Sequence, residues 1–153
     1  MPRTNQTKPF HILLADDDKD DHFFFDRALQ TLTFPVSLKT VFNGEQLMAY
    51  LLNNTAGLPE VIFLDINMPR KNGIESLAEI KTNETLKRIP VIIYSTSLQD
   101  EIADALYQKG AHYYLQKCEF SELKKRIPII LALVAENPIQ PPRDKFVLTS
   151  AMV

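Results

Sequence analysis

Short apolar runs alternate along the chain with stretches of helical spacing. His11 to Ala15, Val61 to Asp65 and Val91 to Ser95 are rich in Ile, Leu, Val and Phe with hardly a polar break. Such runs mark strands buried on both faces of a parallel sheet. Val36 to Phe42 and Tyr113 to Gln116 alternate more, which suits outer positions in the same sheet. Between the runs, Phe25, Ala28, Leu29 and Leu32 recur at the i, i+3, i+4, i+7 spacing of an amphipathic helix. Leu47, Tyr50 and Leu51 repeat that spacing after Asn43-Gly44. Ile74, Leu77 and Ala78 mark a third helix from Gly73, and Ile102, Ala105 and Leu106 a fourth that stops at Gly110. Leu123, Ile127, Ile130, Leu131 and Val134 mark a fifth. Five strand-helix units without an internal repeat predict an α/β, doubly wound, five-stranded parallel sheet covered by five helices, with right-handed crossovers.

Two features disturb the pattern. Pro128 sits inside the fifth helical stretch, where it removes a backbone hydrogen bond and crowds the carbonyl of Lys124. A kink or a fresh helix start is expected there. After Asn137 the segment PIQPPRDKF is proline-rich and reads as an extended tail, followed by apolar FVLTSAMV, whose role the pattern leaves open. Phe23, Phe24 and Phe25 are about 100° apart on a helix, so they cannot all face one core.

Composition narrows the class of protein. The chain of 153 residues is 45% hydrophobic and 24% charged, enough for one sizeable core and too apolar for a disordered chain. A net charge of −2 gives no general attraction for nucleic acid, and the only block of like charge is the acidic run from Asp16 to Asp21. Cys118 is the single cysteine, which excludes an internal disulfide and a multi-thiolate metal site, and fits a reducing cytoplasm. No signal-like N-terminus and no apolar stretch near 18 residues is present, so no membrane role is expected.

Candidate chemistry follows from where the strands end. In a parallel doubly wound sheet, side chains at the carboxyl edge project into a common crevice. Asp16 and Asp17 follow the first strand, Asp65 ends the third, Ser95 the fourth, and Lys117 the fifth. Carboxylates brought together repel unless a cation sits among them, and oxygen-only ligation selects a hard ion such as Mg²⁺. An aspartate can also attack phosphorus, while a metal and an ammonium neutralise the transferring group. Asp65, Asp17 and Lys117 suit those roles. Asp18, Asp20 and Asp21 read as solvated helix-start residues favoured by the helix dipole, outside the site. His11, His22 and His112 have no spacing of a shared metal site or triad.

The segments ILLADDD, VIFLDINMPRKNG, IPVIIYSTS and AHYYLQK resemble, in order, the signature segments of bacterial response-regulator receiver domains, over roughly residues 10 to 135. The resemblance implies a flavodoxin-like receiver fold of strand order 2-1-3-4-5. It implies a stand-alone, chemotaxis-regulator-like protein with residues 1–9 as an N-terminal extension, 10–136 as the receiver domain and 137–153 as a C-terminal tail. By position, Asp65 matches the phosphorylated aspartate. Asp17 matches the direct Mg²⁺ ligand, Asp16 the partner acting through metal-bound water, and Asn67 the residue whose backbone carbonyl completes the site. Ser95 matches the hydroxyl that bonds the phosphoryl oxygens, Lys117 the family's lysine, and Tyr114 the aromatic that turns inward on activation. Pro69 and Gly73 fit the loop after the phosphorylation site.

The resemblance further implies a phosphoacceptor rather than a classical enzyme. Its phosphodonor would be a sensor histidine kinase or a histidine phosphotransfer protein, and its output face helix 4, strand 5 and helix 5. A target protein, a further phosphorelay component or a homodimer are all compatible with that output. One departure stands out: receivers usually carry proline after the lysine, and here it is Cys118. A non-proline cis bond costs roughly 2.5 to 4 kcal/mol, so a trans Lys117-Cys118 peptide is expected, with Lys117 still reaching Asp65. Two other classes fit less well. A haloacid-dehalogenase-like hydrolase needs a second carboxylate where Asn67 stands, and a nucleotide-binding domain needs a glycine-rich first loop, whereas none of the four glycines lies before Gly44.

Overall fold

The computed structural model describes residues 8–97 and 99–148. Strands and helices alternate as β1 (Phe10–Ala15), α1 (Lys19–Leu29), β2 (Val36–Val41), α2 (Gly44–Asn53), β3 (Val61–Leu64), α3 (Gly73–Thr82), β4 (Val91–Ser95), α4 (Asp100–Gln108), β5 (Tyr113–Gln116) and α5 (Phe120–Glu136). A 3₁₀ turn (Arg143–Lys145) and a short β6 (Val147–Leu148) follow. The strands form one parallel sheet in the order β2-β1-β3-β4-β5-β6.

Because alternate residues of a strand face opposite sides, the apolar runs feed two cores. Leu13, Ile62, Leu64 and Ile93 join Leu47, Leu51, Leu77, Ile80 and Leu106 from α2, α3 and α4. Ile12, Leu14, Phe63 and Ile92 join Phe25, Leu29, Leu123, Ile127 and Ile130 from α1 and α5. Each such side chain, fully buried, contributes about 1.5–3 kcal/mol. The helix starts are set locally. Asp18 caps α1 by accepting from the Asp20 amide, and Asn72 caps α3 in a reciprocal capping box with Glu75. Of the three consecutive phenylalanines, Phe25 is fully buried while Phe23 and Phe24 are exposed.

The structure departs from the sequence reading at the C-terminal end. Among the described residues the sheet has six strands rather than five, and β5 lies inside it, because Val147–Leu148 pairs parallel with Tyr114 and Leu115. Two residues are too few to carry a period, so no pattern announced this strand. Phe146 is fully buried beside it, and the expected extended tail is therefore part of the core as far as Leu148. Residues 149–153 lie outside the described residues, as do residues 1–7 of the expected N-terminal extension. Pro128 also behaves differently from one expectation: α5 passes through it from Phe120 to Glu136 without a new start. Lys124, whose carbonyl loses its partner, is exposed, so water can satisfy that oxygen.

Candidate functional site

The carboxyl edges of β1, β3, β4 and β5 bring the expected residues into one crevice. Asp16 leaves β1 with its amide bonded to the Val41 carbonyl at 3.1 Å, and its side chain is fully buried. Its Oδ1 accepts from the Asp18 amide at 3.0 Å. His22 Nε2 contacts the Asp16 backbone carbonyl at 2.6 Å, and the His22 ring packs on Phe42 with centroids 4.5 Å apart. With the ring nitrogen donating, this contact pins the turn that presents the acidic pair. Asp17 beside it is exposed. Asp65 follows β3, its amide bonded to the Ala15 carbonyl at 2.9 Å, and is 5% exposed.

The loop after Asp65 is held by backbone contact. Gly73 N–H donates to the Ile66 carbonyl at 2.9 Å, and a Cβ on Gly73 would lie 2.1 Å from the Asp65 carbonyl oxygen. Only glycine allows that approach. Gly44 N–H ties the same loop to α2 through the Lys71 carbonyl at 2.9 Å. Arg70 takes a φ of 68°, the one left-handed non-glycine among the described residues. Asn67 is exposed in this loop, and its amide donates to the Asp65 carboxylate.

Carboxylate oxygens of Asp16, Asp17 and Asp65 lie within 4.8 Å of one another. Lys117 reaches into the group from the end of β5. Its amide bonds to the Ser95 carbonyl at 2.8 Å, and its Nζ stands 2.8 Å from Asp16 Oδ2, 2.7 Å from Asp21 Oδ2 and 3.4 Å from Asp65 Oδ2. The ammonium also sits 5.5 Å from the centre of the Tyr94 ring. Peptide bonds among the described residues are all trans, that of Lys117-Cys118 included. The lysine therefore reaches Asp65 without the family's proline.

The electrostatics follow from burial. Burial pushes the Asp16 carboxyl up to about 7, against the pull of Lys117. It raises Asp65 for the same reason, again opposed by Lys117. Burial pushes the Lys117 ammonium down, but hydrogen bonds and charge from Asp16, Asp21 and Asp65 outweigh it, and its pKa ends above the ordinary lysine value. An all-oxygen donor set, short of positive charge and partly forced toward protonation, fits a hard divalent cation.

Ser95 and Tyr114 lie deeper. Ser95 is fully buried at the end of β4, and among the described residues its Oγ has no hydrogen bond of normal geometry. Tyr114 is fully buried, its ring turned into the fold and its hydroxyl donating to the Ser97 carbonyl. Burial raises its phenol pKa, with the Ser95 hydroxyl pulling the other way.

The family profile for the response regulator receiver domain matches residues 12–128. The chain belongs to this family. Response regulator Rcp1 of Synechocystis sp. is 38% identical over 113 residues, covering 71% of this chain and 77% of that protein. The crystal structure of the Mn²⁺-bound form of Rcp1 superposes with a TM-score of 0.76 at 35% identity, over 87% of this chain and 99% of that one. The phosphorylated cyanobacterial phytochrome response regulator RcpA gives 0.74 at 36% identity, over 80% and 91%. The receiver fold and a place in two-component phosphorelay signalling are thus established for this chain. No helix among the described residues is long and apolar enough to cross a membrane.

One sequence assignment needs correction. Charge spacing groups Asp21 with Asp18 and Asp20 as solvated helix-start residues, yet Asp21 makes the shortest contact to Lys117. Asp18 does cap the helix as expected. Asp21 lies one turn further along α1, on the face toward β5, and charge spacing alone could not tell the two apart. His22 and Tyr94 were likewise invisible as site residues, since an aromatic or imidazole in a core pattern carries no sign of what it touches.

Proposed function

We propose that this receiver accepts a phosphoryl group on Asp65 from a phosphohistidine of a sensor histidine kinase or histidine phosphotransfer protein. A carboxylate oxygen of Asp65 attacks phosphorus, the P–N bond breaks, and the imidazole leaves with the electron pair and takes up a proton. Asp16, Asp17, Asp65 and the Asn67 carbonyl would hold Mg²⁺, which when bound neutralises charge on the transferring group. Lys117 carries fixed positive charge to the same oxygens, and Ser95, at the end of β4, would donate its hydroxyl to one of them. Tyr114 then reports the change at Ser95 to the surface. Output is binding of a target protein, a further phosphorelay component or a second copy, in the cytoplasm and without nucleic acid. Hydrolysis of the acyl phosphate by the protein itself belongs to the same reading.

The observation that carries this proposal is the convergence of three carboxylates within 4.8 Å with Lys117 Nζ 3.4 Å from Asp65. A dehalogenase-like hydrolase is disfavoured because Asn67, two residues after the nucleophile, has no carboxylate to serve as acid or base. Intact mass after incubation with Mg²⁺ and acetyl phosphate tests the proposal. Wild-type protein should gain one phosphoryl group and Asp65→Asn none. Equal phosphate gain by the variant would move the acceptor elsewhere.

A further inference from the structure

Residues 138–148 run across α4 and β5, two of the elements that the family resemblance assigns to output. Gln140 Nε2 donates to the carbonyls of Tyr107 and Ala111, each at 2.8 Å, at the C-terminal end of α4. Tyr107 Oη returns a bond to the Pro141 carbonyl at 2.8 Å, and Arg143 pairs with Asp104 of α4 at 2.7 Å. Phe146 is fully buried against Tyr107 and Tyr114, with ring centroids 5.3 and 6.3 Å away in edge-to-face geometry. Its carbonyl accepts the Tyr114 amide at 3.0 Å.

These contacts have the features of a built peptide seat: a backbone hydrogen bond to β5, paired side-chain bonds from Gln140, a buried aromatic anchor and a charged pair at the rim. Tyr114 belongs to both the seat and the switch. Its ring and amide hold Phe146, while its hydroxyl holds the Ser97 carbonyl in the loop that follows Ser95. Turning the Tyr114 ring outward would break its contacts at both ends.

We propose that the α4–β5 face is a docking groove whose resident ligand is this chain's own segment 138–148, and that seating of the segment and phosphorylation of Asp65 favour one another through Tyr114. The inference rests on the phosphoacceptor reading above. The seated segment holds Tyr114 inward, the position that the family resemblance assigns to the activated state. Coupling between two sites is reciprocal, so whatever phosphorylation gains from the seated segment, the segment gains from phosphorylation. A partner for this face must displace the segment or bind the surface it completes.

Hydrogen exchange of the full-length protein with and without Mg²⁺ and acetyl phosphate tests the coupling, with intact mass recording the Asp65 adduct. Amides of 138–148 and of Tyr114 should exchange more slowly on phosphorylation, by about fivefold or more, the lower end of ordinary allosteric coupling. Affinity for beryllofluoride, a non-covalent phosphoryl mimic, should fall by a similar factor in Phe146→Ala. It should fall less in Arg143→Ala, which loosens the seat only at its rim. If Phe146→Ala does not fold, the wild-type exchange experiment and Arg143→Ala decide. An adduct on Asp65 with unchanged or faster exchange overturns the coupling and leaves the phosphoacceptor reading standing. Absence of any adduct removes both.

Discussion

Replacing Lys117 by Met removes the only cation that contacts the acidic group among the described residues. In the structure Nζ faces Asp16, Asp21 and Asp65 at 2.8, 2.7 and 3.4 Å. At an effective dielectric of about 20, each pair is worth about 5–6 kcal/mol of Coulomb attraction. Desolvation of a lysine that is 12% exposed offsets most of that sum. The net cost of breaking such a buried cluster by removing one partner is about 3–5 kcal/mol, out of a typical total of about 5–15 kcal/mol. Urea unfolding in EDTA, above the pH of about 7 at which Asp16 ionises, should show that loss. Saturating Mg²⁺ should recover much of it, because a divalent cation that binds only the folded state adds stability by mass action. Phosphoryl transfer to Asp65 should remain slow even then, since the charge that Lys117 carries to the phosphoryl oxygens is still missing. If Lys117→Met is as stable as the wild type in EDTA, the lysine does not neutralise this group and the electrostatic argument fails.

Other expectations follow from the same geometry. Asp17→Ala removes the exposed member of the carboxylate cluster, and calorimetric titration should show Mg²⁺ affinity falling by more than about tenfold, since losing even an outer partner of a metal ligand costs about that much; unchanged affinity would remove Asp17 from the metal site. Burial raises the Asp16 pKa from 3.8 to about 7, so the folded state binds more protons than the unfolded chain between those values. Metal-free stability should therefore fall as pH rises from about 4 to about 7, by at most about 1.4 kcal/mol per pH unit for one group, and Mg²⁺ should flatten the slope; an equal slope with and without Mg²⁺ in urea melts would contradict this. Gly73→Ala places a Cβ 2.1 Å from the Asp65 carbonyl oxygen, a backbone atom that cannot move aside. A loss of about 3 kcal/mol or more, at or above the usual range for overpacking, should accompany weakened phosphorylation; a variant that melts and phosphorylates like the wild type would show that the loop can shift freely.

What the sequence disclosed tracks what each residue's neighbours had to contribute. β1, β3 and β4 were legible because a strand buried on both faces needs apolar side chains at every position, as Ile12 to Leu14 and Val61 to Leu64 have. Asp16, Asp65, Ser95 and Lys117 were legible because parallel strands deliver their ends to one edge whatever the intervening helices contain. Asp21 was not, since its role depends on how α1 is rotated toward β5, a tertiary quantity absent from local spacing. β6 was hidden for another reason. A strand of two residues has no period, and Phe146 acquires its meaning only from the Tyr107 and Tyr114 rings against which it packs.

The short β6 also bears on how this protein behaves at high concentration. A sheet ending at β5 would present the free N–H and C=O groups of Tyr113–Gln116 to solvent, an open template on which another chain could add a strand. Here Val147–Leu148 takes up part of that edge, and the Tyr114 amide is already spent on Phe146. Among the described residues the new border of the sheet is Val147–Leu148, which offers another chain little to pair with. Natural proteins blunt sheet edges with short or covered strands to discourage pairing between copies, and the segment after α5 covers part of an edge that β5 would otherwise leave open.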